Sequence, residues 1–96
     1  MGRDEIVGVL RAQREELARL GVRAMRLFGS VARGEAGPRS DVDILVDFGG
    51  ATTFDQYMDV KLFLEDLLQM QVDLVTERGL RPRVRPHVEQ DAIRVA

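Results

Sequence analysis

A Gly-Ser pair followed, after ten residues, by an Asp-x-Asp pair places the tightest constraint on the fold of this chain. Gly29-Ser30 ends one strand-like run, and Asp41-Val42-Asp43 opens the next. Side chains alternate faces along a strand, so the carboxylates of Asp41 and Asp43 point the same way, with Cα atoms roughly 6.5 Å apart. The segment therefore predicts a phosphate-binding turn that faces a divalent metal site.

The chain is short and close to electrically neutral. Its 96 residues correspond to one small domain, 1–96, which leaves no room for a separate substrate-binding domain, so any large acceptor must be met at the surface. The 14 basic and 16 acidic residues give a net charge of -2, too little field to collect nucleic acid. We therefore expect no non-specific binding of nucleic acid.

Cysteine and histidine usage excludes two kinds of site. The chain has no Cys and one His, His87, so it can form neither a disulfide framework nor a Cys/His zinc site. This composition is compatible with a reducing compartment, and we expect a cytoplasmic location. The start lacks the apolar stretch of a signal peptide, and no run of residues approaches membrane-spanning length. No membrane partner is expected.

Apolar periodicity predicts alternating helices and strands. Apolar residues at steps of three, four and seven predict one amphipathic helix over residues 6–20, ended by Gly21. A one-turn helix is predicted at 31–33, and the capping-box pattern Thr53-Phe54-Asp55-Gln56 predicts the start of a longer one. Strands are predicted over 22–28, 41–48, 71–76 and 92–95. The order predicts an α/β (α+β) fold.

Two faces are distinguished in the strand over residues 41–48. One face is predicted to be buried and carries Val42, Ile44, Val46 and Phe48, whereas the other carries Asp41, Asp43, Leu45 and Asp47. Asp47 lies roughly 13 Å along the strand from Asp43, and we assign it to the surface. The following helix is predicted to bury Val60, Phe63, Leu64 and Leu67.

The segment from residue 77 to residue 90 carries Pro82 and Pro86, and either proline could begin a helix. The second proline would disrupt a helix begun at the first. The boundaries of this segment are not predictable from the sequence.

Gly29-Ser30 has the chemistry of a phosphate-binding turn. A helix N-terminus offers N–H groups and a positive dipole end, glycine permits close approach, and the Ser30 hydroxyl adds a donor. Neither a Lys-Ser/Thr pair nor Gly-x-Gly-x-x-Gly is present, which excludes a P-loop and a dinucleotide-binding motif. The alternative interpretation is that Ser30 caps a loop helix.

Asp41, Asp43 and Asp73 are candidate metal ligands. Two carboxylates about 4 Å apart repel by roughly 4 kcal/mol at an effective dielectric near 20, and a cation removes this cost. Oxygen ligands favour Mg²⁺ or Mn²⁺. Asp73, in a neighbouring strand, could complete a cluster of three acids and accept a proton from an attacking hydroxyl. The alternative is that these acids are solvated residues at strand ends. Convergence would favour metal-assisted phosphoryl or nucleotidyl transfer.

These residues resemble the signature of the DNA polymerase β-type nucleotidyltransferase superfamily. The string Phe-Gly-Ser-x-Ala-Arg-Gly-Glu-Ala, followed by Ser-Asp-Val-Asp-Ile-Leu-Val, is similar to its minimal nucleotidyltransferase (MNT) branch. The resemblance covers nearly the whole chain and implies a small mixed β-sheet flanked by helices. It also implies site residues: nucleotide binding by Gly29, Ser30, Arg33 and Ser40, and catalysis with two Mg²⁺ ions held by Asp41, Asp43 and Asp73. Pro86, inside the expected last helix, departs from the family.

The resemblance implies transfer of a nucleoside monophosphate, usually AMP from ATP, to a hydroxyl with release of pyrophosphate. Many MNT proteins are antitoxins of a HEPN-domain ribonuclease toxin, which is silenced by AMP transfer to a tyrosine. The expected function is that of a protein adenylyltransferase with a HEPN partner. Two alternatives remain: a non-catalytic binding antitoxin or scaffold, and transfer to RNA or a small molecule. The RNA version is supported by the basic cluster Arg78, Arg81, Arg83 and Arg85 beside His87.

Overall fold

The computed structural model of the chain describes residues 2–35, 37 and 40–96. Met1, Ala36, Pro38 and Arg39 lie outside the described residues, and the last three belong to the ten-residue spacer of the motif. In chain order, the elements are α1 Arg3–Ala12, α2 Arg14–Arg19, β1 Ala24–Phe28, α3 Gly29–Ala32, β2 Val42–Asp47, α4 Phe54–Leu68, β3 Val72–Thr76, α5 Arg85–Asp91 and β4 Ile93–Arg94.

The strands form a mixed sheet in the order β3-β2-β1-β4. Strand β1 is antiparallel to both β2 and β4, whereas β2 and β3 are parallel. This arrangement confirms the predicted mixed sheet flanked by helices. Strand β1 begins two residues later than predicted, so Arg23 precedes it, and β4 has two residues rather than four. Among the described residues, no helix has the length and apolar character needed to cross a bilayer.

One face of the sheet packs against α1, α2 and α4 and forms the main core, because burying apolar side chains is the main favourable term in folding. From the strands this core takes Met25, Leu27, Val42, Ile44, Val46, Val72 and Leu74, and from the helices Ile6, Val7, Leu10, Leu17, Val31, Ala32, Val60, Leu64 and Leu68. The predicted buried face of β2 is confirmed. Phe48 follows the strand and is half-buried against the same core, as are Phe63 and Leu67.

The other face of the sheet has a smaller core of its own. Leu45 packs there with Leu80 and with Val88 of α5, and all three are buried. The helix α5 begins at Arg85 with Pro86 in its first turn, where the missing N–H would have no helical partner. Pro86 therefore lies in the last helix, as expected, but in its first turn, where it does not disrupt the helix. Of the two helix starts that the prolines allowed, the one near Pro86 is observed.

The helix predicted over residues 6–20 is two helices, and that prediction is wrong at Gln13. There the backbone leaves helical values, with φ -102° and ψ 13°, and the N–H of Gln13 bonds to the carbonyl three residues earlier, which tightens the turn. The predicted stop at Gly21 is confirmed. Its φ is +95°, and the N–H groups of Gly21 and Val22 donate to the carbonyls of Ala18 and Leu17 at 3.0 Å each.

The helix α4 begins as its capping-box pattern predicts. The Oγ1 of Thr53 accepts a hydrogen bond from the backbone N–H of Gln56 at 3.1 Å. The Tyr57 hydroxyl donates to the carbonyl of Leu74 at 2.5 Å. This bond ties α4 to β3, and so helps to fix the strand that carries Asp73.

Candidate functional site

The Gly-Ser turn and the Asp-x-Asp pair meet where β1 ends. Gly29 directly follows β1, whose last residue, Phe28, is the register partner of Asp43 on β2. Gly29 has a φ of +76°, and a Cβ built there would lie 2.1 Å from Oδ2 of Asp43. Only glycine allows the turn to lie this close to the carboxylate. The structure therefore brings together two residues that the sequence pattern paired.

Asp43 and Asp73 are neighbours across two parallel strands. Their Cα atoms are register partners in the β2–β3 pair, and their side chains lie on the same face of the sheet. Asp43 is half-buried and Asp73 is exposed. Burial raises the pKa of Asp43, and so do the charges of Asp73 and Asp41, whereas Arg33 acts in the opposite direction. Three carboxylates therefore share one electrostatic environment.

Two further acids lie at the two ends of β2. Asp41 is exposed and immediately precedes the strand. Asp47 is half-buried at the far end, where its Oδ1 accepts a hydrogen bond from the N–H of Gly49 at 2.7 Å. It lines a cavity of about 220 Å³ that also includes Arg23 and Arg78. Asp47 therefore lies towards the other end of β2 from Asp43, and it is half-buried rather than fully at the surface.

Within residues 2–35, 37 and 40–96, no three Asp, Glu, His or Cys side chains are gathered closely enough to hold a metal ion. Coordination by Asp41, Asp43 and Asp73 together therefore stays a prediction. Carboxylate oxygens that repel one another are nevertheless the donor chemistry that suits Mg²⁺ or Mn²⁺.

The other predicted nucleotide-binding residues lie within the turn or follow it in the chain. Ser30 lies within α3, and its carbonyl accepts a hydrogen bond from the N–H of Glu35 at 2.9 Å. Ser40, at the end of the spacer, accepts a hydrogen bond on Oγ from the N–H of Gly37 at 2.9 Å. Arg33 forms ion pairs with Glu35 at 3.0 Å and with Asp91 at 2.9 Å. Hydrogen bonds to Asp91 and then to Glu35 raise the pKa of Arg33.

The family model described as the nucleotidyltransferase domain matches residues 10–95 of this chain. The chain belongs to this nucleotidyltransferase family. Protein adenylyltransferase MntA of Thermococcus cleftensis is 40% identical over 93 residues, which are 96% of this chain and 94% of the relative. A solved minimal nucleotidyltransferase is 44% identical, with a TM-score of 0.84 over 97% of this chain and 95% of that one. The predicted membership and the transferase class are confirmed.

A more distant solved structure shares the fold. It contains an MNT antitoxin in complex with the tri-AMPylated HEPN toxin of Shewanella oneidensis. The matched chain is 18% identical to this nucleotidyltransferase, with a TM-score of 0.62 over 91% of this chain and 71% of that one. At this level of identity, the comparison shows a shared fold alone.

A cavity beside Asp73 is a part of the site that sequence reasoning missed. It has a volume of about 440 Å³ and is lined by Phe28, Asp73, Val75, Gly79, Leu80, Arg81 and Val84. One wall of this cavity comes from residues 79–84, which belong to the segment whose helix boundaries could not be predicted from the sequence. The nucleotidyltransferase thus has an apolar recess directly beside its third acid.

One residue of the basic cluster, Arg81, lines this cavity, whereas Arg78 lines the cavity that contains Asp47. Arg78, Arg81 and Arg83 are exposed, as is His87, whereas Arg85 pairs with Glu77 at 3.1 Å. A role of this cluster in RNA binding stays a prediction.

Proposed function

We propose that this nucleotidyltransferase moves AMP from ATP to a hydroxyl group of a HEPN-domain partner protein and acts as the antitoxin of the pair. The observation that carries the proposal is the contact of the Gly29 turn with Asp43, which has Asp73 at its side. The MntA relative of Thermococcus cleftensis is a protein adenylyltransferase, and the antitoxin of Shewanella oneidensis accompanies an AMPylated HEPN toxin. Residues 1–96 would act as one minimal domain in the cytoplasm.

The phosphates of ATP would lie against Gly29-Ser30. Gly29 has no side chain that would block a phosphate. The first N–H groups of α3 have no carbonyl partner within that helix, as at any helix start, so they can donate to a phosphate oxygen. The Ser30 hydroxyl adds a donor, and Arg33, one turn later, adds a positive charge. The Oγ of Ser40 accepts from Gly37, so its own proton can be donated to a phosphate oxygen.

Asp41, Asp43 and Asp73 would hold magnesium, as two ions, with manganese as a substitute. The support is electrostatic, since the charges that raise the pKa of Asp43 are those a cation would neutralise. When bound, the metal supplies charge neutralisation at the triphosphate and lowers the pKa of the attacking hydroxyl.

Asp73 would take the proton of the acceptor. Its carboxylate is exposed, so a hydroxyl on the surface of another protein can reach it. The acceptor oxygen forms a bond to the α-phosphorus, the bond from that phosphorus to the bridging oxygen breaks, and pyrophosphate leaves. The hydroxyl proton passes to Asp73. The half-buried Asp43 would stay beside the turn and hold the metal, whose charge would offset that of the reacting phosphate.

A second candidate function is that of a binding antitoxin or scaffold. Phe54 and Leu62 of α4 are 75% and 56% exposed, and large apolar side chains at the surface are typical of protein-binding faces. In this function the partner would be neutralised by being covered, without transfer of AMP.

Label transfer separates these functions. ATP labelled at the α-phosphate is incubated with Mg²⁺, source-cell lysate and the chain, its Asp43→Asn form or its Asp47→Asn form. Asp47→Asn is the matched control, since Asp47 lies on the same strand but at the far end. We expect a labelled protein band with the unmodified chain and the control, but none with Asp43→Asn or with a chelator.

Other outcomes of this experiment contradict the proposal in distinct ways. Label on RNA would replace the protein acceptor by a nucleic acid. Label transfer that persists in the Asp43→Asn form would show that Asp43 is not required for catalysis. An absence of label, when the partner is shown to be present in the lysate and bound to the chain, would favour the binding antitoxin.

A further inference from the structure

Arg33 forms ion pairs with two carboxylates that differ in their exposure to solvent. Its Nη1 lies 2.9 Å from Oδ2 of Asp91, and its Nε lies 3.0 Å from Oε2 of Glu35. The Asp91 side chain is 22% exposed, whereas that of Glu35 is 66% exposed. Exposed ion pairs contribute little, so the less exposed Asp91 is the stronger partner.

Asp91 is also the partner that is fixed by the rest of the fold. It is the last residue of α5, and Val88, one turn earlier, is 1% exposed and packs on Leu45 of the sheet. Glu35 lies two residues from Arg33 on the same turn and moves with it. Asp91 lies 58 residues away in the chain and therefore fixes Arg33 relative to the sheet.

The position of Arg33 places its charge beside the phosphate turn. Its backbone N–H bonds to the carbonyl of Gly29 at 3.1 Å, so it lies one helical turn after the Gly29-Ser30 pair. Its charge reaches Asp43, whose pKa it lowers against the effect of the other acids. The two ion pairs use Nε and Nη1, whereas Nη2 carries two N–H groups that bond to no acceptor among residues 2–35, 37 and 40–96.

We propose that Asp91 is a positioning residue for the nucleotide, and that its ion pair with Arg33 holds the guanidinium where the Nη2 hydrogens meet the phosphates of a nucleoside triphosphate. The inference rests on the proposed function. An arginine that is already ordered loses less rotamer entropy when it binds, so the ion pair strengthens binding without contacting the ligand. The pair also couples α5 to the turn.

The test is binding of a non-hydrolysable ATP analogue in the presence of Mg²⁺, measured by calorimetry on the full chain. Asp91→Asn is expected to weaken binding about two- to fivefold, the range of a partly exposed ion pair. Asp91→Glu keeps the charge and is expected to stay within about twofold of the unmodified chain. In the transfer assay, Asp91→Asn should raise the KM for ATP and leave kcat unchanged.

Glu77→Gln is the matched control. It removes the 3.1 Å ion pair with Arg85 at the other end of α5, away from the phosphate turn, and should leave nucleotide binding unchanged. A double variant, Arg33→Gln with Asp91→Asn, should bind no more weakly than Arg33→Gln alone, because Asp91 acts through Arg33.

Three results would overturn the inference: unchanged binding in Asp91→Asn, an equal loss in Glu77→Gln, or losses that add in the double variant. Equal losses would mean that Asp91 serves only the docking of α5. The inference and the proposed function fail separately. Binding of the analogue without transfer to any acceptor would contradict the proposed function, whereas identical binding by all variants would contradict the inference.

Discussion

Asp43 and Asp73 are register partners on adjacent parallel strands, with their carboxylates on the same face of the sheet. The charge of Asp73 is the largest influence on the pKa of Asp43 after burial, and both raise it. The main core lies on the opposite face of the sheet, so the two carboxylates are outside it and repel each other. An arrangement that costs stability and lies beside an open turn is typical of a functional site.

The Asp43→Asn form should be more stable than the unmodified chain when no metal is present. Because the folded-state pKa of Asp43 is raised, its ionisation destabilises the fold as pH rises through that pKa. At pH 7 we expect a gain of roughly 0.5–1 kcal/mol in the free energy of unfolding, kept small by partial exposure. The gain in stability should vanish below pH 3.8, the ordinary pKa of this carboxyl group, because Asp43 is then protonated in both the folded and the unfolded chain. Urea unfolding with a chelator measures it, and a loss of stability at pH 7 would contradict it.

The pKa of Asp43 should respond to its neighbours in opposite directions. Asp73→Asn removes a like charge and should lower this pKa, whereas Arg33→Gln removes an opposing charge and should raise it further. NMR titration of the carboxyl carbons measures both shifts. Asp47→Asn, at the far end of β2, is the control and should change nothing. Shifts of the same sign in both variants would rule out this electrostatic account.

Gly29→Ala should damage both the fold and the site. The alanine would need a φ of +76°, and its Cβ would meet Oδ2 of Asp43 at 2.1 Å. We expect a loss of about 1–3 kcal/mol in unfolding free energy and loss of nucleotide binding. Gly8→Ala in α1 is the control, since a Cβ there would meet nothing within 4 Å, and it should gain roughly 0.5–1 kcal/mol. Normal nucleotide binding by Gly29→Ala would contradict the close approach of the Gly29 turn to Asp43.

Leu45→Ala should loosen α5 from the sheet. Leu45 is 3% exposed and packs on Val88, so its truncation leaves a cavity and should cost about 2–5 kcal/mol. Leu62→Ala, at a site that is 56% exposed, should change stability by less than about 0.5 kcal/mol. Thermal and urea unfolding give both values, and hydrogen exchange in α5 shows where the protection is lost. Equal losses of stability in the two variants would mean that the smaller core does not hold α5 on the sheet.

The turn and the Asp-x-Asp pair were predictable because their signals are local. Glycine permits the turn at Gly29, and the two-residue period of a strand sets the face on which Asp43 lies, whatever the rest of the chain does. Asp41 immediately precedes β2, so the strand does not set its direction. The neighbouring position of Asp73 depends on which strands pair, so the sequence predicted it as a candidate and the parallel register supplied the contact.

The features that were missed depend on contacts between distant residues. Pro82 and Pro86 give the same local signal, and the packing of Val88 decides between them. The break at Gln13 leaves the apolar period uninterrupted, because α1 and α2 both pack on the main core. Nothing near Asp91 in the sequence indicates Arg33 as its partner, since the fold alone joins them.

Strand β3, which carries Asp73, lies at one end of the strand order β3-β2-β1-β4. A carboxylate on a border strand can be approached from the side, where no further strand of the described sheet covers it. Under the proposed function, an intact folded partner would therefore bring a hydroxyl to Asp73 without unfolding. Selectivity would then depend on how the two protein surfaces match around that hydroxyl, and a truncated peptide carrying the same hydroxyl would make a poor substitute.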